Sequence, residues 1–143
     1  NYHSSDTLAL SILVEEISGK SLAKVFHDKI YAKFGKDGYM HWTADERGTT
    51  VSFAELTMTA REWANFGKFL MEEKKSASCL GQFFNDGVKN SIPTGKKNGS
   101  RYGYQSWVLD VNGKPSMVMQ GHGGQFIVLD ETTNIVLLTI SMN

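Results

Sequence analysis

The stretch that decides the fold is MQGHGGQFIVLDETTNIVLLTI, which occupies residues 119–140. It contains one apolar run, 125–130, and all but the last residue of a second, 135–141, and both runs have the length and the β-branched content of strands. The segment 131–134 between them is polar and predicts a turn, so the two strands are expected to pair antiparallel. The second run is apolar on both faces, and such a strand requires cover on both sides of its sheet.

The residues just before this stretch extend the sheet. Segments 104–111 and 116–120 have strand-like patterns, and Asn112-Gly113 between them is a strong signal for a two-residue hairpin turn. The sequence therefore predicts four strands, joined as an antiparallel meander.

The first hundred residues are predicted to be mostly helical, because apolar residues recur at spacings of three, four and seven. Ser5 or Asp6 can cap the first helix, Gly19 ends it, and Ser21 caps the second. Thr59-Ala60-Arg61-Glu62 has the form of a capping box and opens a third helix. The apolar stripes of these helices are Leu10, Leu13, Val14 and Ile17; Leu22, Val25, Phe26 and Ile30; and Trp63, Phe66, Phe69 and Leu70.

These patterns predict an α+β fold, with a mainly helical lobe at residues 1–100 and an antiparallel sheet portion at 101–143. A short helix near 81–88 belongs to the first part. This number of helices covers one face of the sheet but not both. We therefore expect the chain to be a fragment of one larger catalytic domain.

Composition excludes several classes of function. The 143 residues carry 15 basic and 15 acidic side chains, so no basic field is available to hold nucleic acid. No apolar run is long enough to span a bilayer, and no signal peptide is visible at Asn1. The single cysteine, Cys79, excludes an internal disulfide, and the four histidines lack the paired spacing of metal ligands. No cofactor or metal is predicted.

The glycine cluster Gly121–Gly124 is the first candidate for a site. Without a Cβ, such a segment lets backbone approach a ligand closely, and the amides that follow can face a developing negative charge. The alternative is a wide loop or bulge between two strands. A phosphate-binding loop does not fit, because no helix and no Lys-Ser/Thr pair follow. The His122 side chain could act as an acid or a base, or simply form hydrogen bonds within the loop.

Tyr2 is a second candidate, as a general base. A phenol with a reference pKa of about 10 is ionised to only about 0.1% at pH 7. It can act as a base only if a neighbouring cation lowers its pKa or shares the proton. No neighbour in the sequence supplies that cation, so the fold would have to bring in a lysine. The alternative is an aromatic side chain that packs at the start of the first helix.

Five segments, taken in their order along the chain, are fairly specific for one superfamily of proteins. They are Tyr2-His3-Ser4, for a Y-x-N/S motif; Ile17–Leu22, for a helix junction; Leu56–Gly67, for a helix; Tyr102–Trp107, for a strand; and Gly121–Gln125, for the start of a strand. In this order they resemble the serine β-lactamase and penicillin-binding-protein-like superfamily. The nearest branch includes class C β-lactamases, esterases of that fold and 6-aminohexanoate-dimer hydrolases.

The resemblance implies acylation and deacylation of an ester or amide by a serine. In that superfamily the serine lies on an S-x-x-K helix, and its lysine shares the proton work with the Y-x-N tyrosine. Carried over, Tyr2 is the general base and acid, together with a lysine that this chain lacks. Ser4 hydrogen-bonds near that network, while Tyr104 and Trp107 line the substrate cleft.

The third motif of that superfamily, K/H-T/S-G, can be placed in two ways. One placement uses His122-Gly123-Gly124 and makes Gln125 the oxyanion amide. The other counts back from the strand end at Asp130, uses Met119-Gln120-Gly121, and gives the oxyanion to the backbone N–H of His122. We prefer the second placement, because a slip of one residue turns every side chain of a strand to the opposite face. Met119 then stands where the superfamily has a cation, which favours neutral esters or amides over β-lactams.

The nucleophile is the largest departure from the superfamily. The one S-x-x-K in the chain, Ser21-Leu22-Ala23-Lys24, follows Tyr2, whereas the nucleophile of the superfamily precedes the tyrosine. Ser21 also has a local explanation as a helix cap. The chain alone is therefore expected to be inactive, with the N-terminal part of the same domain as its missing partner.

Two other interpretations remain open at this stage. The fold could serve as a non-catalytic module that binds a peptide or a glycan. The chain could also be a small, stand-alone α+β domain unrelated to the superfamily. The sequence fits either the periplasm or the cytoplasm of a bacterium.

Overall fold

The computed structural model describes residues 3–141, and this part of the chain forms two compact units. The first unit ends at Glu62 and the second begins at Trp63. Tyr2 lies outside the described residues, so its predicted role stays a prediction.

The first unit contains three α-helices and a two-stranded sheet. Its elements are α1 (Ser4–Ser18), α2 (Leu22–Phe26), a π-helical turn (His27–Tyr31), α3 (Ala32–Phe34), β1 (Met40–Trp42) and β2 (Leu56–Met58). The two strands pair antiparallel, with Met40 opposite Met58. Each of these strands has three residues, which are too few to show a strand period in the sequence.

The boundaries of the first two helices follow local chemistry. The backbone of Gly19 is left-handed, at φ 64°, and its N–H donates to Glu15 O, which ends α1 as predicted. Ser21 is the predicted cap of α2, because its Oγ accepts from the N–H of Lys24 at 3.3 Å. The predicted caps of α1 are wrong: the N-cap is His3, which makes no side-chain capping bond.

The apolar stripe of α1 is largely uncovered. Leu10, Leu13 and Ile17 are 49%, 54% and 78% exposed, although their spacing predicted a buried face. The buried residue of this helix is instead Ser11, whose hydroxyl donates to Leu8 O at 2.8 Å. The periodicity correctly identified a helix with an apolar side, but residues 3–141 leave much of that side exposed.

Glu62 connects the start of the helix that was predicted to begin at Thr59 with the loop that follows α3. Its N–H donates to Thr59 Oγ1 at 3.2 Å, which is the predicted half of the capping box. Its carboxylate is fully buried, and Oε1 accepts from the amides of Lys36 and Asp37. Burial raises the pKa of the neighbouring Tyr31 phenol, and the negative charge of Glu62 adds to this effect.

The second unit is an antiparallel sheet with helices packed on it. Its strands β3 to β8 lie side by side in chain order, and every neighbouring pair is antiparallel. The elements are α4 (Ala60–Lys75, which begins in the first unit), α5 (Cys79–Lys89), β3 (Ile92–Pro93), β4 (Arg101–Gly103), β5 (Ser106–Val111), β6 (Lys114–Gln120), β7 (Phe126–Asp130) and β8 (Ile135–Thr139). The meander is confirmed, but it has six strands where four were predicted.

The predicted turn at Asn112-Gly113 is confirmed. Both residues have positive φ, 52° and 79°, and Val111 pairs with Lys114 across the turn. Left-handed backbone at both positions is the geometry that a two-residue type I′ hairpin turn requires.

Glycines allow the helices to approach the sheet closely. A Cβ on Gly67 of α4 would lie 2.5 Å from Val136 Cγ1 and 2.9 Å from Ile127 Cγ2. A Cβ on Gly103 of β4 would lie 2.3 Å from the carbonyl oxygen of Gly87 in α5. The two helices therefore pack on the same face of the sheet, α5 near β4 and α4 near β7 and β8.

The sheet is apolar on both faces. Ile127 and Leu129 are buried on the side that α4 contacts, and the predicted helix stripe is buried at Phe69 and Leu70. On the alternate side, Val118 is fully buried, while Ile135 and Leu137 of the edge strand are 56% and 55% exposed. The structure is thus a mixed α and β fold with an antiparallel sheet, and one apolar surface of its edge strand is open.

Replacing Gly67 with alanine is expected to destabilise the chain. The new methyl group would overlap short, branched side chains, and overpacking of this kind costs about 1–3 kcal/mol, more than the roughly 1 kcal/mol that alanine gains in helix propensity. Urea denaturation of Gly67→Ala should show the loss. The matched control is Lys68→Ala at the next, exposed position of α4, where a change within about 0.5 kcal/mol is expected. Equal stability of Gly67→Ala and the parent would contradict this packing.

Candidate functional site

The strand register brings two connections of the second unit to the same end of the sheet. Trp107 lies opposite Val118, and Gln120 lies opposite Phe126. Because alternate connections of a meander share an end, the turn between β4 and β5 and the loop between β6 and β7 fall together. Four of the predicted residues, Tyr104, Gly121, His122 and Gln125, lie in these two connections, and Trp107 is one residue into β5.

Gly121–Gln125 forms a closed loop between β6 and β7. The N–H of Gly121 donates to the carbonyl oxygen of Gln125 at 2.9 Å. A Cβ on Gly121 would lie 2.6 Å from Gln125 Oε1 and 3.1 Å from Gln125 Cβ, so a larger residue here would require the Gln125 side chain to move. Gly123 and Gly124 have φ values of 78° and 86°, which belong to the left-handed region.

His122 lies exposed in this loop, and its φ is not positive. Among the hydrogen bonds of residues 3–141, none uses its backbone N–H as a donor. The loop is thus the bulge-like connection considered from the sequence, and it also leaves an amide available to an external acceptor.

The two placements of the third motif fall on different elements. Met119 and Gln120 end β6, whereas His122-Gly123-Gly124 lies in the loop, and β7 begins only at Phe126. Met119 is opposite Ile127, on the side of the sheet that α4 contacts. The preferred placement, with His122 supplying the oxyanion amide, stays a prediction.

The turn at Tyr104 and Gln105 is strained. Both residues are left-handed, with φ values of 47° and 62°, although neither is glycine. A non-glycine residue in this region costs roughly 1–2 kcal/mol. The turn is held on both sides: the Tyr104 ring lies 5.1 Å from the Phe83 ring, and the Tyr102 hydroxyl donates to Gln105 Oε1 at 3.0 Å. Strain maintained by its surroundings is a frequent property of functional sites.

Trp107 belongs to a small group of aromatic and cationic side chains. Its ring meets the Tyr102 ring edge to face, at 5.0 Å between centroids. The ammonium group of Lys96 lies 4.1 Å from the centre of the Trp107 ring, which is cation–π geometry. The sequence reasoning identified Trp107 but missed Lys96 and Gln105.

Asp130 organises the opposite end of the sheet. Its Oδ2 accepts from Thr133 Oγ1 and from Asn112 Nδ2, and its Oδ1 accepts from the Thr132 amide. The hydrogen bond from the Thr133 hydroxyl is the largest cause that lowers the pKa of Asp130. This carboxylate therefore stabilises the turn between β7 and β8, and it lies away from the predicted site residues.

Ser4 and Tyr2 complete the predicted set. Ser4 is the exposed first residue of α1, in the first unit, and Tyr2 precedes the described residues. That these two residues belong to the same site as the Gly121–Gln125 loop stays a prediction.

Between residues 3 and 141, no three or more of His, Cys, Asp and Glu gather as a metal site would require. Over the same residues, no helix combines the length and the apolar character needed to cross a membrane.

Comparison with known proteins gives matches at the level of the fold. No family model and no curated protein matches the sequence, whereas 21 chains of solved structures match the fold. One is a proposed 6-aminohexanoate-dimer hydrolase from Bacillus anthracis, with a TM-score of 0.82 and 23% identity. The match covers 99% of this chain and 38% of that chain. At this identity the likeness shows the fold, and it supports the β-lactamase-like architecture that the motifs predicted.

We expect Gln105→Gly to stabilise the chain by about 1 kcal/mol, because glycine adopts the left-handed conformation without strain. Loss of the bond to Tyr102 offsets part of the gain. The opposite change at the other hairpin, Gly113→Gln, is a matched control, since a Cβ there would meet nothing within 4 Å and only the backbone strain changes. It should cost a similar amount. Thermal unfolding of both variants tests this, and a loss of stability in Gln105→Gly would contradict the strain.

Proposed function

We propose that this chain is the C-terminal portion of a β-lactamase-related serine hydrolase that acts on an ester or an amide. The observation that carries the proposal is the fold match, which spans 99% of this chain but 38% of a larger hydrolase structure. The order of the motifs along the sequence supports the same assignment. A 6-aminohexanoate dimer is joined by an amide bond, which belongs to the proposed class of substrate.

Two uncovered apolar surfaces support the view that a further part of the domain is needed. The stripe Leu10, Leu13 and Ile17 on α1 is about half exposed or more, and so are Ile135 and Leu137 on β8. Exposed apolar surfaces of this kind mark interaction sites. In the proposed whole domain, residues preceding this chain cover them.

The proposed chemistry divides between this chain and that preceding part. The preceding part supplies the S-x-x-K serine, which attacks the carbonyl carbon, and the lysine that lowers the pKa of the Tyr2 phenol. Tyr2 takes the proton of the serine and returns it to the leaving group, and Ser4 hydrogen-bonds near this pair. The N–H of His122 donates to the oxyanion of the tetrahedral intermediate. Gly121 and Gln125 shape the loop that presents this amide.

The third motif contributes no cation in this proposal, because Met119 occupies the position of the basic residue. A neutral ester or amide therefore fits the reactive centre better than a carboxylate placed directly beside it, as in a β-lactam. Tyr104 and Trp107 line the cleft and contact the remainder of the substrate.

The S-x-x-K within this chain has a structural role. Ser21 Oγ accepts from the Lys24 amide at 3.3 Å, and the Lys24 ammonium group pairs with Asp28 at 2.6 Å. The hydroxyl and the ammonium group thus serve helix capping and an ion pair.

A non-catalytic binding module of the same fold is the second candidate. The exposed aromatic ring of Tyr104, together with Trp107, favours it, because such surfaces bind peptides or glycans without chemistry. The two candidates differ in whether an S-x-x-K serine precedes this chain in the encoded protein.

A fluorophosphonate probe separates these candidates. We expect no labelling of the 143-residue chain, and labelling of the longer encoded protein at an S-x-x-K serine that precedes residue 1. Peptide mapping by mass spectrometry identifies the modified residue. The Ser21→Ala variant of the longer protein should be labelled as fully as the parent. Modification of Ser21 would refute the proposal, and a longer protein that lacks the motif would favour the binding module.

The oxyanion role is tested by removing one amide hydrogen. In the longer protein, His122→Pro deletes the backbone N–H and should lower kcat about 10²–10³-fold, as loss of one oxyanion donor does. His122→Ala keeps the N–H and should retain most of the activity. Hydrolysis of a p-nitrophenyl ester provides the rates. An alanine variant as impaired as the proline variant would assign the role to the imidazole instead.

A further inference from the structure

The helical segment that follows α1 is strongly basic, although the whole chain has a net charge of zero. Residues 20–36 include α2, the π-helical turn and α3. They contain one acidic residue, Asp28, and five lysines, which are Lys20, Lys24, Lys29, Lys33 and Lys36. Helix α1 before them has three acidic residues and no lysine or arginine. Positive charge is thus concentrated on one element of the first unit.

Burial separates these lysines from the apolar side of the segment. All five lysines are exposed, whereas Tyr31 and Phe34 are buried. Three further apolar residues, Leu22, Phe26 and Ile30, are half-buried. The segment is therefore an amphipathic helix, with its apolar side packed within the first unit and its basic side facing solvent.

Asp28 holds the first two lysines in place. Its carboxylate pairs with Lys24 Nζ at 2.6 Å and with Lys20 Nζ at 3.4 Å, and it accepts from His27 Nδ1 at 3.3 Å. The hydrogen bond from Lys24, followed by that from His27, lowers the pKa of Asp28 to about 2. At neutral pH one negative charge is therefore shared by two lysines.

The lysines beyond Asp28 leave this side with an excess of positive charge. Lys29 and Lys36 take part in none of the ion pairs found within residues 3–141. Three residues after Lys36, the Tyr39 side chain is 53% exposed. A tyrosine has an apolar ring with a polar tip, and such a side chain beside lysines suits the boundary between water and lipid head groups.

The composition of the basic side discriminates between classes of anionic partner. Single-stranded nucleic acids are bound by aromatic rings on which their bases stack, but Phe26, Tyr31 and Phe34 are buried or half-buried. Protein interfaces are enriched in arginine and depleted in lysine, whereas residues 20–36 contain no arginine. Lysines clustered on an amphipathic helix are instead typical of attraction to anionic lipids.

We propose that the lysine side of residues 20–36 docks this protein on a lipid surface that carries anionic head groups. The ammonium groups approach the lipid phosphates, and each lysine near such a surface strengthens binding roughly fivefold. The apolar side stays packed within the first unit, so the helix lies on the surface without inserting. The attachment is therefore reversible and depends on salt.

Co-sedimentation of the chain with vesicles tests this docking surface. The probes are vesicles of phosphatidylcholine alone, and vesicles of phosphatidylcholine and phosphatidylglycerol in equal parts. We expect binding to the mixed vesicles only, in about 0.1 M salt, where the Debye length is about 10 Å. Binding should be lost in about 1 M salt, where that length is about 3 Å. Equal binding to both kinds of vesicle, or binding that resists salt, would indicate apolar adsorption and overturn the proposal.

Paired substitutions provide the matched control. Lys29→Gln with Lys36→Gln should weaken binding to the mixed vesicles roughly 25-fold, and Lys29→Arg with Lys36→Arg should retain it. Lys97→Gln with Lys114→Gln removes the same net charge at two exposed positions of the second unit and should leave binding nearly unchanged. Circular dichroism checks that each variant is folded. Equal losses in the two glutamine pairs would assign binding to net charge alone and refute the docking surface.

Nucleic acid is the rival occupant of the basic side. Duplex DNA at the same phosphate concentration should bind the chain more weakly than the mixed vesicles do. Equal or tighter binding of DNA would overturn the lipid assignment. Vesicle binding does not involve the fluorophosphonate-reactive serine, so the docking surface and the proposed hydrolase can each fail without the other.

Discussion

The antiparallel register that runs unbroken from β3 to β8 is the constraint on which the second unit depends. Every strand pairs with the next one in the chain, so successive connections alternate between the two ends of the sheet. This alternation places the Tyr104-Gln105 turn and the Gly121–Gln125 loop at one end, and the Asn112-Gly113 turn with the Asp130 network at the other. A slip of one residue between β4 and β5 would turn Trp107 to the face opposite Tyr102 and separate the two rings.

Local sequence chemistry predicted the parts of the fold that local interactions determine. Asn112-Gly113 predicted its hairpin because both positions require left-handed backbone, and Thr59 predicted the start of α4 because its hydroxyl caps the helix. The loop Gly121–Gln125 was identified as a candidate site because glycines, which lack a Cβ, let the backbone approach a ligand closely.

Longer-range features could not be predicted in this way. The strands β3 and β4 have two and three residues, which is too short for a period to show. The Tyr104-Gln105 turn could not be predicted, because neither residue favours a turn. Packing and a side-chain hydrogen bond impose its conformation. The Glu62 carboxylate binds amides 25 and 26 residues away instead of completing its local capping box. Lys96 is recognisable as part of the group around Trp107 only from its contact with that ring, 11 positions along the chain. The lack of acidic residues around Lys96 was visible in the sequence.

The exposed outer edge of β8 has a consequence for the chain in solution. Within the described sheet, β8 pairs with β7 alone, so the outward amides and carbonyls of Ile135–Thr139 form a free edge. The strand carries no charge, proline or bulge, which are the devices that discourage strand addition between molecules. Separate copies made without a covering strand are therefore prone to join through this edge, and growth of such contacts produces fibrous aggregates in place of discrete particles.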